Sequence, residues 1–186
     1  LAVCLLLLES LLPARPFRKT KTWASACILL AWSPWMQAQS LETKANLVDG
    51  TQSFEKEDAE AAIEAFGLAA SDMDVSGVAL YNQGCAQMKA EEWSSAAKSF
   101  ERAAKRLGPL DLAGNAHYNA SVSALVDQRP DVAAQHAKEA LRINPGDDDA
   151  RYNLALAKRM MQQQDQQDRF DFFFNLTGDV ACIGNK

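Results

Sequence analysis

The residue types that carry covalent and metal chemistry are scarce in this chain and poorly spaced for it. The two histidines, His117 and His136, are too far apart to form a zinc pair on one helix, which needs a spacing near four. The serines have no histidine partner at a recognisable spacing, and the acidic run at 147–149 lacks the alternation and distal glutamate of a calcium loop. We therefore predict a protein that is not an enzyme and holds no cofactor and no metal, with solvated or packed histidines.

The amino-acid composition excludes further classes of protein and of binding partner. The 186 residues are 48% hydrophobic and 23% charged, which is globular composition. A net charge of −5 gives no overall positive field for phosphates, so nucleic acid is not an expected partner. Four cysteines at positions 4, 27, 85 and 182 have no close pair and no neighbouring histidine, which argues against a zinc site and a disulfide framework.

The first 39 residues differ from the body of the chain and hold only five charges. Residues 15–21 are basic, Trp23 to Trp35 are largely apolar, and residues 36–38 form a small-residue cleavage site before Gln39, as in a secretory signal. We expect export, with the protein periplasmic. The alternative is an uncleaved anchor through residues 23–36 that leaves the protein on the inner membrane facing the periplasm. The apolar residues 1–12 ahead of the basic cluster suggest a fragment or an overextended start.

A repeat organises the middle of the chain. The pair Tyr-Asn occurs at 81–82, 118–119 and 152–153, with spacings of 37 and 34 residues. Downstream of the first pair, Ala96, Phe100 and Ala103 are spaced by four and three, which places them on one helical face. Equivalent trios occur at 62, 66 and 69 and at 133, 137 and 140. A period near 34 predicts helix-turn-helix units.

These residues resemble the tetratricopeptide repeat, which has a small residue where its two helices cross and a large one facing the next unit. Unit 43–76 supplies Gly50 and Phe66, unit 77–110 supplies Gly84 and Phe100, and unit 114–147 supplies Ser121. The resemblance implies an all-α, right-handed superhelical solenoid of about three and a half repeats, ending in a capping helix at 148–164. The extra residues of the longer spacing predict a longer turn between Leu107 and Asn115.

The end of the chain departs from the repeat. Residues 162–167 are rich in glutamine and can solubilise the open end of the solenoid. Phe170 and residues 172–174 then form an apolar cluster. We predict that residues 165–186 are disordered. Their abrupt change of character fits either a hydrophobic docking tail or a fragment or frame error.

In such a solenoid the first helix of each unit lines the concave face. A ladder of Tyr and Asn there is suited to binding an extended peptide, because Tyr offers amphipathic area and Asn pairs both ways with a backbone. The alternative is that the Asn amides bridge adjacent units and the Tyr rings pack between helices. The inward positions, our candidate binding residues, are Leu47, Val48, Thr51, Tyr81, Asn82, Cys85, Tyr118, Asn119, Val122, Tyr152, Asn153 and Leu156.

Some tetratricopeptide repeats grip acidic C-terminal peptides through a carboxylate clamp of Lys, Asn and Arg. The chain has Tyr81, Cys85, Tyr118 and Val122 where the clamp needs basic or amide groups. Binding of chaperone tails is therefore not expected.

A narrower resemblance concerns the last repeat. Residues 149–158, followed by the glutamine run, are similar to the small exported repeat proteins of bacterial Bat, or aerotolerance, operons. That resemblance implies a cell-envelope complex with von Willebrand type A domain membrane proteins. The predicted function is a non-enzymatic interaction scaffold of the envelope. The alternative is a membrane-anchored assembly subunit whose repeats hold a complex together from the periplasmic side.

Overall fold

The computed structural model describes residues 41–108 and 111–183, and all the regular secondary structure in this part of the chain is helical. The predicted signal or anchor at 1–39 lies outside it. Each helix from the second onward packs against the next one in the sequence, and the last also touches the fifth. The helices are α1 (41–55), α2 (Ala59–Ala69), α3 (Ser76–Lys89), α4 (Trp93–Leu107), α5 (Asp111–Val126), α6 (Pro130–Ile143) and α7 (Asp148–Ile183).

Close approach of paired helices explains the small residues at the crossings. A methyl group built on Gly50 would lie 2.6 Å from Phe66 Cδ1, and one on Gly84 would lie 2.8 Å from Phe100 Cε1. Both rings are buried, and fully buried alanines surround them. Glycine leaves the space that each ring fills, so the helices pack at the density of a protein interior. The predicted all-α solenoid is confirmed.

A left-handed residue closes the turn inside each repeat, at Glu57 (φ 66°), Glu91 (φ 59°) and Gln128 (φ 56°). In the second repeat the Glu92 N–H donates to the Gln87 carbonyl at 2.8 Å, and the Glu91 N–H donates to the Met88 carbonyl at 3.1 Å. The same two bonds recur at equivalent positions in the other two turns. This Schellman arrangement satisfies carbonyls at the end of the first helix of each pair.

The link between the second and third repeats corrects one prediction. Helix α4 ends at Leu107 and α5 already begins at Asp111. The extra residues of the 37-residue spacing therefore lengthen α5 at its N-terminal end, and the predicted long turn reaching Asn115 is wrong. Apolar side chains in this first turn explain the extension, because Ala113 is buried in the core and adds packing to helix formation.

The final helix corrects another prediction. Helix α7 does not end near Gln164 but continues to Ile183, so residues 165–183 are helical rather than disordered. Ala150, Asn153 and Ala157 bury one face of its first part, whereas every residue from Met161 to Phe174 is exposed. The glutamine run is compatible with helix, since glutamine is a good helix former. None of the helices described here is long and apolar enough to cross a membrane.

Candidate functional site on the first helices of the repeats

An apolar cavity of about 210 Å³ lies where the first and second repeats meet. Thr51 and Phe54 of α1, Phe66 of α2, and Asn82 and Cys85 of α3 line it. Three of these five residues belong to the predicted concave ladder. Sequence reasoning missed the two phenylalanines as site residues, because the repeat pattern predicts only a packing role for Phe66 and does not include Phe54.

The polar groups of this cavity are uncharged; the Thr51 hydroxyl donates to the Leu47 carbonyl, whereas the Asn82 amide is available. The Asn82 amide makes no hydrogen bond to any described group, although its side chain is half-buried. The Cys85 thiol is not in a disulfide. Burial raises its pKa, so the thiol remains protonated at neutral pH. The cavity can accept an apolar side chain while Asn82 pairs with a peptide group beside it.

A cation stands next to this cavity. Lys89 follows Cys85 by one turn of α3, and its Nζ lies 5.2 Å from the centre of the Phe54 ring. The same Nζ is 3.6 Å from Glu57 Oε1. Lys89 is a functional candidate that the Tyr-Asn pattern did not reveal, although its spacing from Asn82 and Cys85 places it on their helical face.

Further along the ladder, Tyr81 and Asn119 are joined to each other. The Asn119 side-chain amide donates to the Tyr81 hydroxyl at 3.1 Å, from the third repeat to the second. The Tyr81 ring packs edge-on against Phe100, with centroids 5.4 Å apart. Burial and then the nearby Cys85 raise the pKa of Tyr81 above its ordinary value. The bridging and packing alternative therefore describes this pair.

Asn153 lies almost entirely below the accessible surface. It is buried, and its amide donates at 3.1 Å to the Ser121 hydroxyl, which itself donates to the Tyr118 carbonyl at 2.7 Å. Asn153 thus fits the alternative in which the Asn amides bridge adjacent units. Its physical role is to join the last helix to the third repeat, where a lone buried amide would be costly.

The last helix keeps an open surface beside this bond. Tyr152, Ala155, Leu156 and Arg159 line a second cavity of about 190 Å³. Their spacing of three, four and seven places them on one face of α7. Tyr152 is 67% exposed, in contrast to Tyr81. Arg159 was not among the predicted residues and adds a positive charge to this end of the ladder.

The remaining predicted residues divide between core and surface. Leu47 packs with Phe54 and Ile63 against the buried Phe66. Val48 is exposed, and Tyr118 and Val122 are half-buried. The ladder is thus an accessible surface at its two ends, with a bonded and packed centre at Tyr81 and Asn119.

The two histidines, which are far apart in the sequence, contact each other in the structure. His117 lies on α5 and His136 on α6, and their Nδ1 atoms are 3.2 Å apart. A one-helix spacing rule could not detect this contact between paired helices. Burial lowers the pKa of both imidazoles. At neutral pH one Nδ1 donates to the other, so the pair is a packed one; within the described residues no three metal-ligating side chains come together.

Comparisons with known proteins agree with this fold. Residues 81–148 match the family model described as tetratricopeptide repeat. The structure is similar to the second TPR domain of the human RPAP3 protein, solved by NMR in complex with the HSP70 peptide SGPTIEEVD. The TM-score is 0.51 at 19% sequence identity, covering 66% of this chain and 97% of that chain. No curated protein sequence matches the chain.

Residues 81–148 therefore match the tetratricopeptide repeat, as the sequence resemblance predicted, and the described helices have the fold of a TPR domain. Solenoids of this class present an extended concave surface for protein contacts. The two cavities and the Asn82 amide lie on the helices that form that surface.

Proposed function

We propose that the protein is a non-enzymatic interaction scaffold that binds an extended segment of a partner protein along the first helices of its repeats. The observation that carries the proposal is the cavity between α1 and α3, which combines apolar walls with the unbonded Asn82 amide. An apolar side chain gains from entering such walls, and the amide holds the backbone beside it. Tyr152 and Arg159 give the same segment a second contact at the far end of the ladder.

Peptide selection against the full chain tests this proposal. Selected peptides are measured by calorimetry against the wild type, Asn82→Ala and Tyr152→Ala. Neither side chain supports the fold through a described hydrogen bond, so both variants retain their helical circular dichroism. Asn82→Ala is expected to weaken binding about tenfold, the worth of one hydrogen bond. The control Lys98→Ala changes an exposed residue of α4, a second helix. Equal losses in all three variants would contradict the assignment.

The place of this scaffold is the bacterial cell envelope, in a Bat-type complex with von Willebrand type A domain membrane proteins. The supporting features are the basic and apolar segments before Gln39 and the character of residues 149–167. Mass analysis of the protein from cells tests export, with a mature N-terminus expected near Gln39. An intact chain in the membrane fraction would favour the anchored assembly subunit instead. Failure to co-purify with von Willebrand type A domain proteins would remove the Bat assignment.

A further inference from the structure

The exposed end of α7 carries a second apolar surface. Phe170 and Phe174 stack at 6.4 Å on one face of the helix, and Phe173 lies beside them. These three side chains are 62–68% exposed. A cluster of exposed aromatic side chains that is flanked by charged residues, here Asp168 and Asp171, is typical of an interaction site.

This surface matches the cavity between α1 and α3 in size and chemistry. A cavity of about 150 Å³ lined by apolar side chains holds benzene. The present one measures about 210 Å³ and is lined by Phe54, Phe66 and the Cys85 thiol. It therefore has room for the benzyl group of a phenylalanine. Asp171, which follows Phe170 directly, can replace Glu57 as the partner of Lys89 beside the cavity, because that ion pair is exposed.

The two surfaces cannot meet within one copy. Helix α7 packs on α5 and α6 at the far end of the solenoid and continues unbroken to Ile183. The part beyond Met160 is about 35 Å long at the helical rise. An unbroken helix curves only gently, so it cannot return to α1 and α3, two repeats away. A second copy is the partner that the overhang can reach.

We propose that the chain self-associates, with Phe170 of one copy entering the cavity between α1 and α3 of another and Phe174 packing at its mouth. Phe170 and Phe174 offer about 270 Å², taking about 200 Å² for a whole side chain. Two reciprocal contacts, counting both partners, then bury about 1,100 Å², just above the roughly 1,000 Å² that a specific interface needs. A single one-way contact buries half of that, so the closed dimer is favoured over an open chain. Because docking covers the groove, self-association competes with the binding of a foreign segment.

Light scattering on size-exclusion columns with the full chain, over a wide concentration range, tests this inference. The wild type is expected at twice its 20.4 kDa mass at high concentration. Phe170→Gln with Phe174→Gln removes the tail surface and leaves a helix former at exposed sites. Thr51→Trp fills the cavity from an exposed position, and Asn82→Arg places a charge in it should tryptophan perturb α1. Each variant alone is expected to be monomeric. The matched control, Leu68→Gln with Met73→Gln, removes exposed apolar side chains elsewhere and is expected to dimerise.

Mixing the tail variant with Thr51→Trp tests whether the tail of one copy contacts the cavity of another. The tail variant retains the cavity and Thr51→Trp retains the tail, so the mixture is expected to form a weaker heterodimer through one contact. A monomeric wild type, a Thr51→Trp variant that dimerises like the wild type through tail–tail pairing, or a mixture that stays monomeric at the highest concentration would each overturn the inference. The proposed function does not depend on it: a monomeric wild type that binds selected peptides through Asn82 would end this inference and leave that function standing.

Discussion

The second and third repeats reach the same helix pairing by different chemistry. In the second repeat, the Phe100 ring fills the space that Gly84 leaves. In the third, Ser121 and Ala137 occupy the equivalent positions, both fully buried, and Asn153 bonds to the serine. The His117–His136 contact adds a second polar pair to that repeat. Volume therefore stabilises the second repeat, whereas hydrogen bonds and small residues stabilise the third.

The largest loss of stability is expected in the second repeat, where the buried Phe100 ring fills the space between the helices. Phe100→Ala empties a fully buried site and is expected to lower the free energy of unfolding by about 3–5 kcal/mol. Urea denaturation followed by circular dichroism measures the loss. Ala137→Gly at the equivalent position of the third repeat is the control and is expected to cost about 1 kcal/mol, mainly through helix propensity. Similar losses in both variants would show that the repeats do not differ in this way.

Gly84→Ala tests the same contact from the other side. Its new methyl would meet the Phe100 ring at 2.8 Å, and such overpacking is expected to cost about 1–3 kcal/mol. In the Phe100→Ala background that clash is absent, and alanine is the better helix former. The second substitution should then be neutral or stabilising, and a double-mutant cycle measures the coupling. Additive losses would rule out the ring as the cause.

A smaller effect is expected in the third repeat. Asn153→Ala removes the bond to Ser121, but the serine hydroxyl still donates to the Tyr118 carbonyl. The expected loss is about 1 kcal/mol of unfolding free energy. Asn115→Ala, at an exposed position of α5, is the control and should be close to neutral. An unchanged urea midpoint for Asn153→Ala would show that the bond does not stabilise the capping of the solenoid.

The smallest effect is a pH dependence of the third repeat. Burial lowers the pKa of His117 and His136, while Glu101 and Glu139 oppose the shift and Lys105, Arg142 and Arg129 favour it. The unfolded chain, with a histidine pKa near 6.5, binds more protons in the window below that value. Stability is thus complete above about pH 6.5 and falls as pH decreases through the lowered pKa values.

Urea midpoints at about pH 8 and about pH 5 measure this dependence, because Glu101 and Glu139 have pKa values below their ordinary 4.5 and remain charged at both. His117→Gln, at a half-buried position, is expected to reduce the dependence. A midpoint equally pH-dependent in that variant would assign the effect to other groups.

The sequence was informative where one helix carries the signal. The spacing of Ala96, Phe100 and Ala103 repeats in every unit because each helix must bury the same face. The small residues at 50, 84 and 121 recur because the crossing point recurs. Fold class and the approximate ends of the helix pairs follow from such local constraints.

The other features of the site depend on contacts between helices, which the spacing of residues within one helix cannot predict. His117 meets His136 only because α5 and α6 are paired in a particular register. Asn82, Asn119 and Asn153 occupy the same position in three repeats, yet the first is unbonded, the second reaches Tyr81 and the third is buried against Ser121. Which asparagine is available to a partner depends on the neighbouring repeat, so the ladder could be proposed from sequence but its accessible ends could not.

The turns inside the repeats offer independent control over each unit. Glu57, Glu91 and Gln128 hold left-handed backbone conformations that cost residues other than glycine about 1–2 kcal/mol. Glycine at any one of them is expected to relieve part of that cost, although at position 57 it also removes the ion-pair partner of Lys89 beside the first cavity. In a solenoid, where each unit is stabilised mainly by its neighbours, such a local gain decides which repeat forms first. A single substitution can therefore move the nucleation site of folding from one repeat to the next, and hydrogen exchange would report its position.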